Sequence, residues 1–474
     1  MYDSILDISK RRGIVYPSFE LYGGVGGFID YGPVGSRIKQ NVEDLLRRHY
    51  VISEGCLEVQ CPVLSPEEVW VASGHVKSFA DLLVECTKCG EGYRADKLLE
   101  DVEGKSADEV GELLARNKVV CPECKGALSK PYSYNLMFQT AVGTGSKRKV
   151  AYLRPETAQT TYLAFRRLWE FARRKLPFGV IQIGRSFRNE ISPRQSMVRL
   201  REFNQAEIQY FVDPHDKGGP GLEDMAMRRV RITDKDGKAF ETTLGEALKE
   251  GVIGIGFIAY HLGKALQVFE EMGIDGKRLR LRQHRVDERA FYSSDTWDVE
   301  YESDVFGAIE LVGVADRSDY DLSQHMKHSR EDMSVNIEGR KFVPHVIEVA
   351  YGIDRPIYCM LESCFRQDGD REYFSFPTRV APYKAGVFSL VKKDGIGEKA
   401  EEVFNTLKES GFYVFLDHAG SIGKRYARAD EVGVPYCVTV DYDTMKDDTV
   451  TVRSRDGKNQ ERVKISELKS RLGL

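Results

Sequence analysis

The chain has 474 residues, of which 42% are hydrophobic and 30% charged, a composition typical of a globular protein with more than one domain. Its 69 lysines and arginines against 73 aspartates and glutamates give a net charge of -4, which excludes the uniformly basic field of a non-specific nucleic-acid binder. Nine cysteines, an odd number, argue against a disulfide framework. The first residues do not form a signal peptide and no apolar run is long enough to span a bilayer, so we expect a cytoplasmic protein with no membrane partner.

The N-terminal part opens with the glycine-rich stretch YGGVGGFIDYGPVG at residues 22–35. Apolar residues from Ile38 to Leu46 then recur at a helical period, which predicts an amphipathic helix. The next stretch, CLEVQCPVL, alternates like a strand as far as Pro62. Because proline has no N–H to donate to a neighbouring strand, this strand is expected at a sheet edge or to end there.

Two cysteine pairs with a two-residue spacing, Cys86/Cys89 and Cys121/Cys124, bracket a charged, helix-like segment. A Cys-x-x-Cys turn points two thiolates at one ion, and two such turns complete a tetrahedral site. Chance clustering of reduced core cysteines is the less favoured alternative. Four thiolates leave no open coordination position, so the sequence predicts a structural Zn²⁺, with iron as the other metal that suits thiolates.

Residues 184–211 predict a hairpin whose ends alternate like strands and whose loop is rich in arginine and glutamate. Arg188 and Glu190 share one face of the first strand, as do Arg201 and Phe203 on the returning strand. Guanidinium groups bind phosphate through paired charge-assisted bonds, and a phenylalanine ring offers a flat face to a base. From these residues alone, a nucleotide site and a solvated, salt-bridged hairpin both remain open.

The remaining elements predict two different architectures. Residues 154–175 predict a helix before the hairpin, and residues 345–365 a strand followed by a helix. Gly352 at that strand end permits close backbone approach, and Arg355 at the helix start can reach a terminal phosphate. From about residue 378, strands alternate with helices, which predicts a small α/β domain with a mostly parallel sheet.

Three of these segments resemble the signature motifs of class II aminoacyl-tRNA synthetases: the helix and strand ending at Pro62, the hairpin FRNE…REF and the turn GIDR. Within that class, the stretches YGGVGGFIDYGPVG, RPETAQ, FRNEISPR, VGVADRSDYDLSQH and PHVIE resemble glycyl-tRNA synthetases of the dimeric, archaeal and eukaryotic-like type. The likeness extends over nearly the whole chain. It implies an α+β catalytic domain built on an antiparallel sheet with inserted domains, followed by a C-terminal α/β anticodon-binding domain.

The resemblance also divides the chain into parts and implies its partners: tRNA(Gly), glycine, ATP and a second copy of the chain in a homodimer. The parts are residues 1–80, the start of the catalytic domain with the dimer-interface motif; 81–131, the zinc-binding insertion; 132–212, catalytic core with the ATP-binding hairpin; 213–292, a helical insertion and candidate contact for the tRNA acceptor end; 293–377, catalytic core with the third motif; and 378–474, the anticodon-binding domain.

The reaction that the resemblance implies has two steps: glycine and ATP give glycyl-adenylate and pyrophosphate, and the glycyl group then moves to the 3′ end of the tRNA. The implied catalytic residues are Arg188 on the α-phosphate, Arg355 on the γ-phosphate and over the adenine, and Glu190. Phe203 would stack beneath the base and Glu310 would hold Mg²⁺. The full set implied to bind ATP is Arg188, Asn189, Glu190, Val198, Arg201, Glu202, Phe203, Glu310, Leu311, Gly352 and Arg355.

Glycine has no side chain, so a site selects it through its ammonium group and by leaving no room at Cα. The resemblance implies that Glu156, Glu207 and Glu348 surround the ammonium group. The full set implied to bind glycine is Arg94, Glu156, Gln205, Glu207, Arg317, Glu348 and Ala350. The family usually has serine in place of Ala350, so this chain lacks a hydroxyl near the glycine Cα, and we expect a modest effect because a methyl group still excludes larger side chains.

Contacts with tRNA are implied at the hairpin loop tip around Arg194. The C-terminal helix face with Lys424, Arg425 and Arg428 either meets the tRNA backbone or is simply solvated. Two other functions are less favoured alternatives. One is a class II synthetase for threonine, proline or histidine, and the other is a non-catalytic class II synthetase-like nucleic-acid-binding accessory protein. An accessory protein should have lost the ATP-binding arginines, which are present here.

Overall fold

A computed structural model describes residues 1–99, 102, 104–193, 196–290 and 292–473. The predicted amphipathic helix in the N-terminal part begins at Pro33, whose missing N–H is no loss in a first turn, and continues into a wider turn at Arg48–Ile52. The elements of the first 80 residues are α1 (Tyr2–Arg11), β1 (Val15–Pro17), β2 (Ile29–Tyr31), α2 (Pro33–Arg47), β3 (Leu57–Val59), β4 (Leu64–Pro66), α3 (Glu67–Ala72) and α4 (His75–Ser78).

The cysteine-containing segment folds as a small antiparallel sheet with one helix. That helix is capped at its start by Ser106 and Glu109, which exchange side-chain and backbone hydrogen bonds. Its elements are β5 (Ala80–Glu85), β6 (Gly92–Arg94), α5 (Ala107–Arg116) and β7 (Tyr132–Asn135), with the strand order β6-β5-β7.

The predicted arginine-rich hairpin consists of two long antiparallel strands, in which Ser186 lies opposite Phe203 and Ile181 opposite Ile208. The elements from residue 139 to residue 212 are β8 (Gln139–Val142), β9 (Lys149–Leu153), α6 (Ala158–Leu163), α7 (Phe165–Phe171), β10 (Phe178–Phe187) and β11 (Glu202–Val212).

Residues 213–292, expected to be a helical insertion, also contribute strands to the central sheet. Val230 and Ile232 on one strand, and Leu279 and Leu281 on another, are buried at alternate positions, which accounts for strand formation despite the charged residues between them. The elements are α8 (Leu222–Met225), β12 (Arg229–Thr233), β13 (Ala239–Thr243), α9 (Leu244–Lys249), α10 (Gly256–Glu271) and β14 (Leu279–Gln283).

The rest of the catalytic part completes a nine-stranded sheet. Its elements are β15 (Asp295–Ser303), β16 (Gly307–Ser318), α11 (Tyr320–Ser329), β17 (Val335–Ile337), β18 (Arg340–Phe342), β19 (His345–Gly352), α12 (Asp354–Cys364), β20 (Phe365–Asp368) and β21 (Arg371–Phe374). The strand order is β13-β12-β14-β15-β16-β19-β11-β10-β3, antiparallel except at the pairs β12/β14 and β10/β3. The short strand β3 before Pro62 therefore lies at the sheet edge.

The C-terminal part has its own five-stranded sheet in the order β23-β22-β24-β25-β26, whose first three strands are parallel. Its elements are β22 (Ala385–Ser389), α13 (Ile396–Glu409), β23 (Val414–Asp417), α14 (Ile422–Glu431), β24 (Tyr436–Val440), α15 (Thr444–Asp447), β25 (Thr449–Ser454), β26 (Gln460–Lys464) and α16 (Leu468–Arg471). Asp430 on α14 pairs with Arg371 at 2.8 Å, which ties this part to the catalytic part. Within the described ranges, no helix has the length and apolar content to cross a membrane.

Candidate active site

The candidate site lies on one face of the central sheet, where the side chains on that face change from apolar to polar. Along β11 this face carries Phe211, Gln209, Glu207, Gln205 and Phe203, because side chains alternate along a strand. Phe211 packs in an aromatic cluster with α7 and β10, and polar residues follow. Most of the predicted residues line the resulting cleft: Glu156, Arg188, Glu190, Val198, Phe203, Gln205, Glu207, Glu310, Leu311, Glu348, Ala350, Gly352 and Arg355.

The strand register places one acid beside two small residues at the floor of the cleft. Glu207 on β11 lies opposite Ala350 on β19, and Ala350 lies opposite Gly313 on β16. In the next row, Gln209 lies opposite Glu348. Neither small residue carries more than a methyl group, so a short ligand can approach the sheet directly beside the Glu207 carboxylate.

Two of the glutamates are held in place by neutral donors. The Glu207 Oε2 atom accepts hydrogen bonds from the Thr157 backbone N–H (2.9 Å) and hydroxyl (2.7 Å). The Glu348 Oε2 atom accepts a hydrogen bond of 2.9 Å from the Gln209 amide. Neutral donors orient a carboxylate without cancelling its charge, so these two acids attract a cation once they are ionised, although Arg317 partly offsets the charge of Glu348.

The third glutamate and the buried Arg317 complete the cluster from below. Arg317 is 1% exposed and does not line the cleft; its Nε lies 2.7 Å from Asp321 Oδ2 and its Nη1 lies 3.2 Å from Glu348 Oε1. Glu156 accepts a hydrogen bond of 3.0 Å from Gln159 and lies 3.4 Å from the Nε2 atom of His75. Arg317 thus orients the glutamates from behind, as a positioning residue.

The cluster contains more acid than base, and the pKa values of its members reflect this. Burial, together with the nearby Glu348 and Glu156, raises the pKa of Glu207 to about 8. Burial raises the pKa of Glu348 although Arg317 opposes the shift. Burial also disfavours the charged form of Glu156, but His75 and Arg317 outweigh it and keep its pKa below the ordinary value. A bound ammonium group would supply the missing positive charge.

The other end of the cleft presents two arginines and an aromatic ring. The Arg188 Nε donates a 3.1 Å hydrogen bond to the Pro155 carbonyl oxygen, and its Cζ atom lies 5.2 Å from the centre of the Phe203 ring. The Arg355 Nε donates to the Val198 carbonyl oxygen at 3.0 Å. Among the described residues no carboxylate pairs with Arg188, so its charge is available to an anionic ligand.

Glu310 stands at the mouth of this end. Its carboxylate lies 3.2 Å from the Arg355 Nη1 atom, and its side chain is half exposed. The surrounding protein disfavours its charged form, but Arg355 and Arg188 outweigh this and lower the pKa of Glu310. An ionised, accessible carboxylate beside a phosphate-binding region has the donor chemistry that Mg²⁺ requires.

Two predicted hairpin residues lie outside the cleft and hold the hairpin itself. Arg201 donates to the carbonyl oxygens of Glu190 (3.1 Å) and Gly26 (2.8 Å), so it joins the hairpin to the glycine-rich segment. Glu202 pairs with Arg185 at 2.6 Å away from the cleft. These contacts hold the hairpin in its conformation and do not place Arg201 or Glu202 where they would bind a ligand in the cleft.

Two further predicted residues also lie outside the cleft lining. The Asn189 backbone N–H donates to the Leu136 carbonyl oxygen at 2.7 Å. Arg94, expected near glycine, belongs to the cysteine insertion, where its guanidinium pairs with Asp81 (3.0 Å) and Asp96 (2.8 Å). Arg94 does not line the cleft, and its contact with glycine stays a prediction.

Sequence reasoning missed several residues that line or support the site. Arg199 pairs with Glu190 at 2.5 Å, and the Tyr292 ring lies 4.0 Å from the Arg317 Cζ atom. Asp354 binds the backbone and side chain of Asn204. Arg199 lies within the arginine-rich stretch and was a detectable candidate, whereas the partners of the others are distant in sequence.

The four cysteines meet as predicted, with all ligand atoms within 4.8 Å of one another. In each pair the backbone carbonyl oxygen of the first cysteine accepts a hydrogen bond from the backbone N–H four residues later. The Gly90 N–H donates to Cys86 at 2.9 Å, and the Lys125 N–H donates to Cys121 at 3.0 Å. Both residues have a positive φ, 73° and 59°. The Cys124 backbone N–H and the Tyr93 hydroxyl lower the pKa of Cys121 to about 6, which favours a thiolate ligand. These donors fit a tetrahedral thiolate site.

The basic helix of the C-terminal part is only partly available to RNA. Arg425 is 3% exposed and donates to the Ser389 carbonyl oxygen at 2.6 Å, so the expectation that it faces tRNA is wrong. Arg428 pairs with Asp417, whereas Lys424 is exposed. Arg194 lies outside the described residues.

Comparison with known families defines the class. The tRNA synthetase class II core domain (G, H, P, S and T) matches residues 144–364, and the anticodon binding domain matches residues 384–473. In structure, the chain is similar to the RNA binding domain of threonyl-tRNA synthetase from Cryptosporidium parvum Iowa II, with a TM-score of 0.63, 17% identity, and coverage of 99% of this chain and 97% of that one. Giardia lamblia prolyl-tRNA synthetase in complex with prolyl-adenylate gives a TM-score of 0.61 at 14% identity, covering 100% of this chain and 78% of that one. The fold is that of a class II aminoacyl-tRNA synthetase.

Curated relatives define the family within the class. Glycine–tRNA ligase of Methanocaldococcus jannaschii is 40% identical over 565 positions, covering 99% of this chain and 98% of the relative. The ligase of Methanococcus maripaludis strain S2 is 39% identical over 564 positions, covering 98% of each. The chain belongs to the glycine–tRNA ligase family. Because these alignments extend over more positions than the 474 residues of the chain, the relatives contain internal segments that it lacks.

Proposed function

We propose that the cleft activates glycine with ATP and loads it onto tRNA(Gly). A glycine carboxylate oxygen attacks the α-phosphorus, the bond to the bridging oxygen of the β-phosphate breaks, and pyrophosphate leaves. The 3′-terminal ribose hydroxyl of the tRNA then attacks the glycyl carbonyl carbon, and AMP leaves. The observation that carries the proposal is the acid-rich, buried end of the cleft, where Glu207 stands beside Ala350 and Gly313.

Each end of the cleft has a separate task in this reaction. Glu156, Glu207 and Glu348 bind the ammonium group, and the strand surface at Ala350 leaves little room at Cα. Arg188 stabilises the charge that develops on the α-phosphate, and Arg355 binds the distal phosphates. Fixed charges that need no reorganisation during the reaction account for this stabilisation.

Of the other residues expected to bind ATP, Phe203 supports the base, whereas Arg201, Glu202 and Asn189 act through the shape of the hairpin. Glu310 is the residue we assign to Mg²⁺, which would neutralise phosphate charge when bound with ATP.

We also assign a structural Zn²⁺ to Cys86, Cys89, Cys121 and Cys124, with iron as the competing metal. Metal analysis of protein purified without chelator tests this assignment: one zinc per chain is expected, and a metal-free protein would contradict it. None of the nine cysteines, all of which lie in the described part of the chain, forms a disulfide, in keeping with a cytoplasmic location.

A homodimer formed through the N-terminal part is the assembly we propose. The edge position of β3 leaves its outer side available for contact, and Leu21 and Tyr22 are 96% and 90% exposed. Sedimentation of the parent and of the variant Leu21→Ser/Tyr22→Ser tests this: a dimeric parent and a weakened variant are expected, and a monomeric parent would contradict it. The domain boundaries given above and a tRNA contact by residues 213–292 belong to the same proposal.

Amino-acid-dependent ATP–pyrophosphate exchange, run with each of the twenty amino acids, tests the activity. Exchange with glycine alone is expected, because a larger side chain would meet the floor of the cleft. The isosteric variant Glu207→Gln should lose exchange, and Glu170→Gln is the matched control because Glu170 pairs with Arg174 on an exposed part of the chain outside the cleft. Folded, metal-replete protein that is silent with all amino acids would instead support a binding protein without catalysis.

A further inference from the structure

The cysteine insertion touches the loop of the ATP-binding hairpin directly. The Ser192 hydroxyl oxygen lies 2.6 Å from the Gly92 carbonyl oxygen and 2.9 Å from the Glu91 carboxylate, and its single proton serves one of them at a time. The Glu91 carbonyl oxygen in turn accepts a bond of 2.8 Å from the Cys86 backbone N–H. One pair of metal-binding cysteines is therefore a few bonds away from the hairpin loop.

A second contact docks the start of the same loop. The Asn189 backbone N–H donates to the Leu136 carbonyl oxygen at 2.7 Å, and its side-chain amide donates to the Tyr134 hydroxyl. Tyr134 lies on β7, which pairs with β5, and β5 leads into Cys86. Both sides of the loop next to Glu190 thus lie against the insertion.

The loop conformation depends on such contacts. Ser192 has a φ of 46°, a left-handed conformation that residues other than glycine rarely adopt, so neighbouring groups must hold it. Ile191 is 8% exposed against the same surface. Residues 191–192 follow Arg188 and Glu190 closely, so a shift of the loop moves the nucleotide end of the cleft.

The insertion has little apolar material of its own to maintain that surface. Its core consists of a few buried side chains, Val84, Ala95, Val102, Val110 and Leu114. Small units of this kind are usually held by a metal or by disulfides. Gly126 also shows how closely the two cysteine turns approach, since a Cβ there would lie 3.0 Å from the Cys86 sulfur.

We propose that the metal bound by the four cysteines positions the ATP-binding hairpin through Ser192 and Asn189, so that metal occupancy controls ATP binding. This role rests on the proposed function of the cleft.

The test is amide hydrogen exchange of the full-length protein without substrates, with metal bound and after removal by a chelator under reducing conditions. Metal removal should speed exchange in residues 187–193 by about tenfold or more, while strand residues 436–440 in the C-terminal part serve as an unaffected reference. In ATP–pyrophosphate exchange, the KM for ATP should rise by about tenfold.

Two serine variants separate the coupling from a general loss of folding. Ser192→Ala keeps the metal and should speed the exchange of residues 187–193, and metal removal should then add less than it adds in the parent, because only the Asn189 contacts remain to be lost. Ser410→Ala is the matched control, because that hydroxyl also donates to a main-chain carbonyl, at 2.7 Å from Thr406, far from the cleft in sequence.

Hairpin exchange that is the same with and without metal would overturn the proposal. If metal removal unfolds the reference strands too, the metal-bound Ser192→Ala protein decides, and unchanged hairpin exchange in that variant overturns the coupling. Since hydrogen exchange needs no turnover, a protein inactive with glycine would contradict the proposed function without affecting this result.

Discussion

Two arginines at opposite ends of the cleft have very different surroundings. At the glycine end, Arg317 is 1% exposed and bonded to the carboxylates of Asp321 and Glu348. At the nucleotide end, Arg188 is partly exposed and donates to the carbonyl oxygen of Pro155. Removing a buried paired charge leaves its partners uncompensated, whereas a carbonyl oxygen holds a cation without neutralising it.

This difference between Arg317 and Arg188 shows how one cleft selects an amino acid with fixed, paired groups and binds a highly charged nucleotide with an arginine that retains its charge. The acids around Glu207 are fixed before any ligand arrives, and one small cation allows Glu207 to ionise where burial otherwise favours its protonated form. The arginines at the other end retain their charge for phosphate groups. The variants below should therefore behave differently at the two ends.

The largest effect is expected from Arg317→Met. This change leaves Asp321 and Glu348 buried without their cation, so the free energy of unfolding of the catalytic part should fall by about 3–5 kcal/mol, and activity should be lost with it. Denaturant unfolding followed by circular dichroism measures this. Arg185→Met is the control, since that side chain is 65% exposed and should change stability by less than about 0.5 kcal/mol. A variant as stable as the parent would contradict the account of the glycine end.

Arg188→Gln should affect catalysis without affecting stability. Loss of the charge that faces the α-phosphate should lower kcat for pyrophosphate exchange by about 10²–10³-fold, as for loss of one donor that stabilises developing charge. The unfolding midpoint should match that of the parent. Arg185→Gln, on the same strand, should retain full exchange activity. If Arg188→Gln were destabilised as strongly as Arg317→Met, the contrast between the two ends would be wrong.

The pH dependence of the KM for glycine should differ from that of the KM for ATP, and the changes should be smaller than those caused by the arginine variants. The ammonium group favours ionised Glu207, whose pKa in the free protein is raised to about 8 by burial and by the acids beside it. Below that pH, binding must expel a proton, so the KM for glycine should rise by up to about tenfold for each unit of decreasing pH. The KM for ATP is the internal control, because arginine keeps its charge throughout this range. Equal pH dependence of both KM values would contradict the assignment to Glu207.

Ala350→Ser should have the smallest effect. A hydroxyl near the glycine Cα adds at most one neutral hydrogen bond, worth about 0.5–1.5 kcal/mol, so the KM for glycine should change by no more than about tenfold. Exchange assays of parent and variant with glycine and alanine measure both affinity and selectivity. A parent that activates alanine readily would show that the methyl group of Ala350 does not exclude larger amino acids.

How much of the site was predictable depends on where the partners of each residue lie in the chain. Phe203 was accessible because alternation along a strand indicates which face each side chain occupies, whereas Glu207 and Glu348 were predicted only through the resemblance to the family. Arg94 illustrates the opposite case, since the resemblance suggested the glycine pocket, but two nearby aspartates hold its guanidinium in the cysteine insertion. The raised pKa of Glu207 also depends on burial and on Glu348 and Glu156, two acids from distant segments, which sequence patterns do not measure.

The fold shows the same limit. The C-terminal α/β part has a regular local pattern and was predictable from it, whereas the strands within residues 213–292 join the central sheet through a burial pattern that dense surface charge conceals. Of these strands, β14 lies beside β15, and β12 and β13 follow it toward the sheet edge, an arrangement that depends on contacts between distant parts of the chain.

The most direct measurement of the central claim is the number of protons released when glycine binds. Calorimetric titration at pH 7 with a non-hydrolysable ATP analogue present, repeated in buffers of different ionisation enthalpy, gives this number. The account predicts release of about one proton per glycine, decreasing above pH 8, and none for Glu207→Gln even where glycine still binds weakly. Glycine binding at pH 7 without proton release would contradict the account that Glu207 loses its proton when the ammonium group binds beside it.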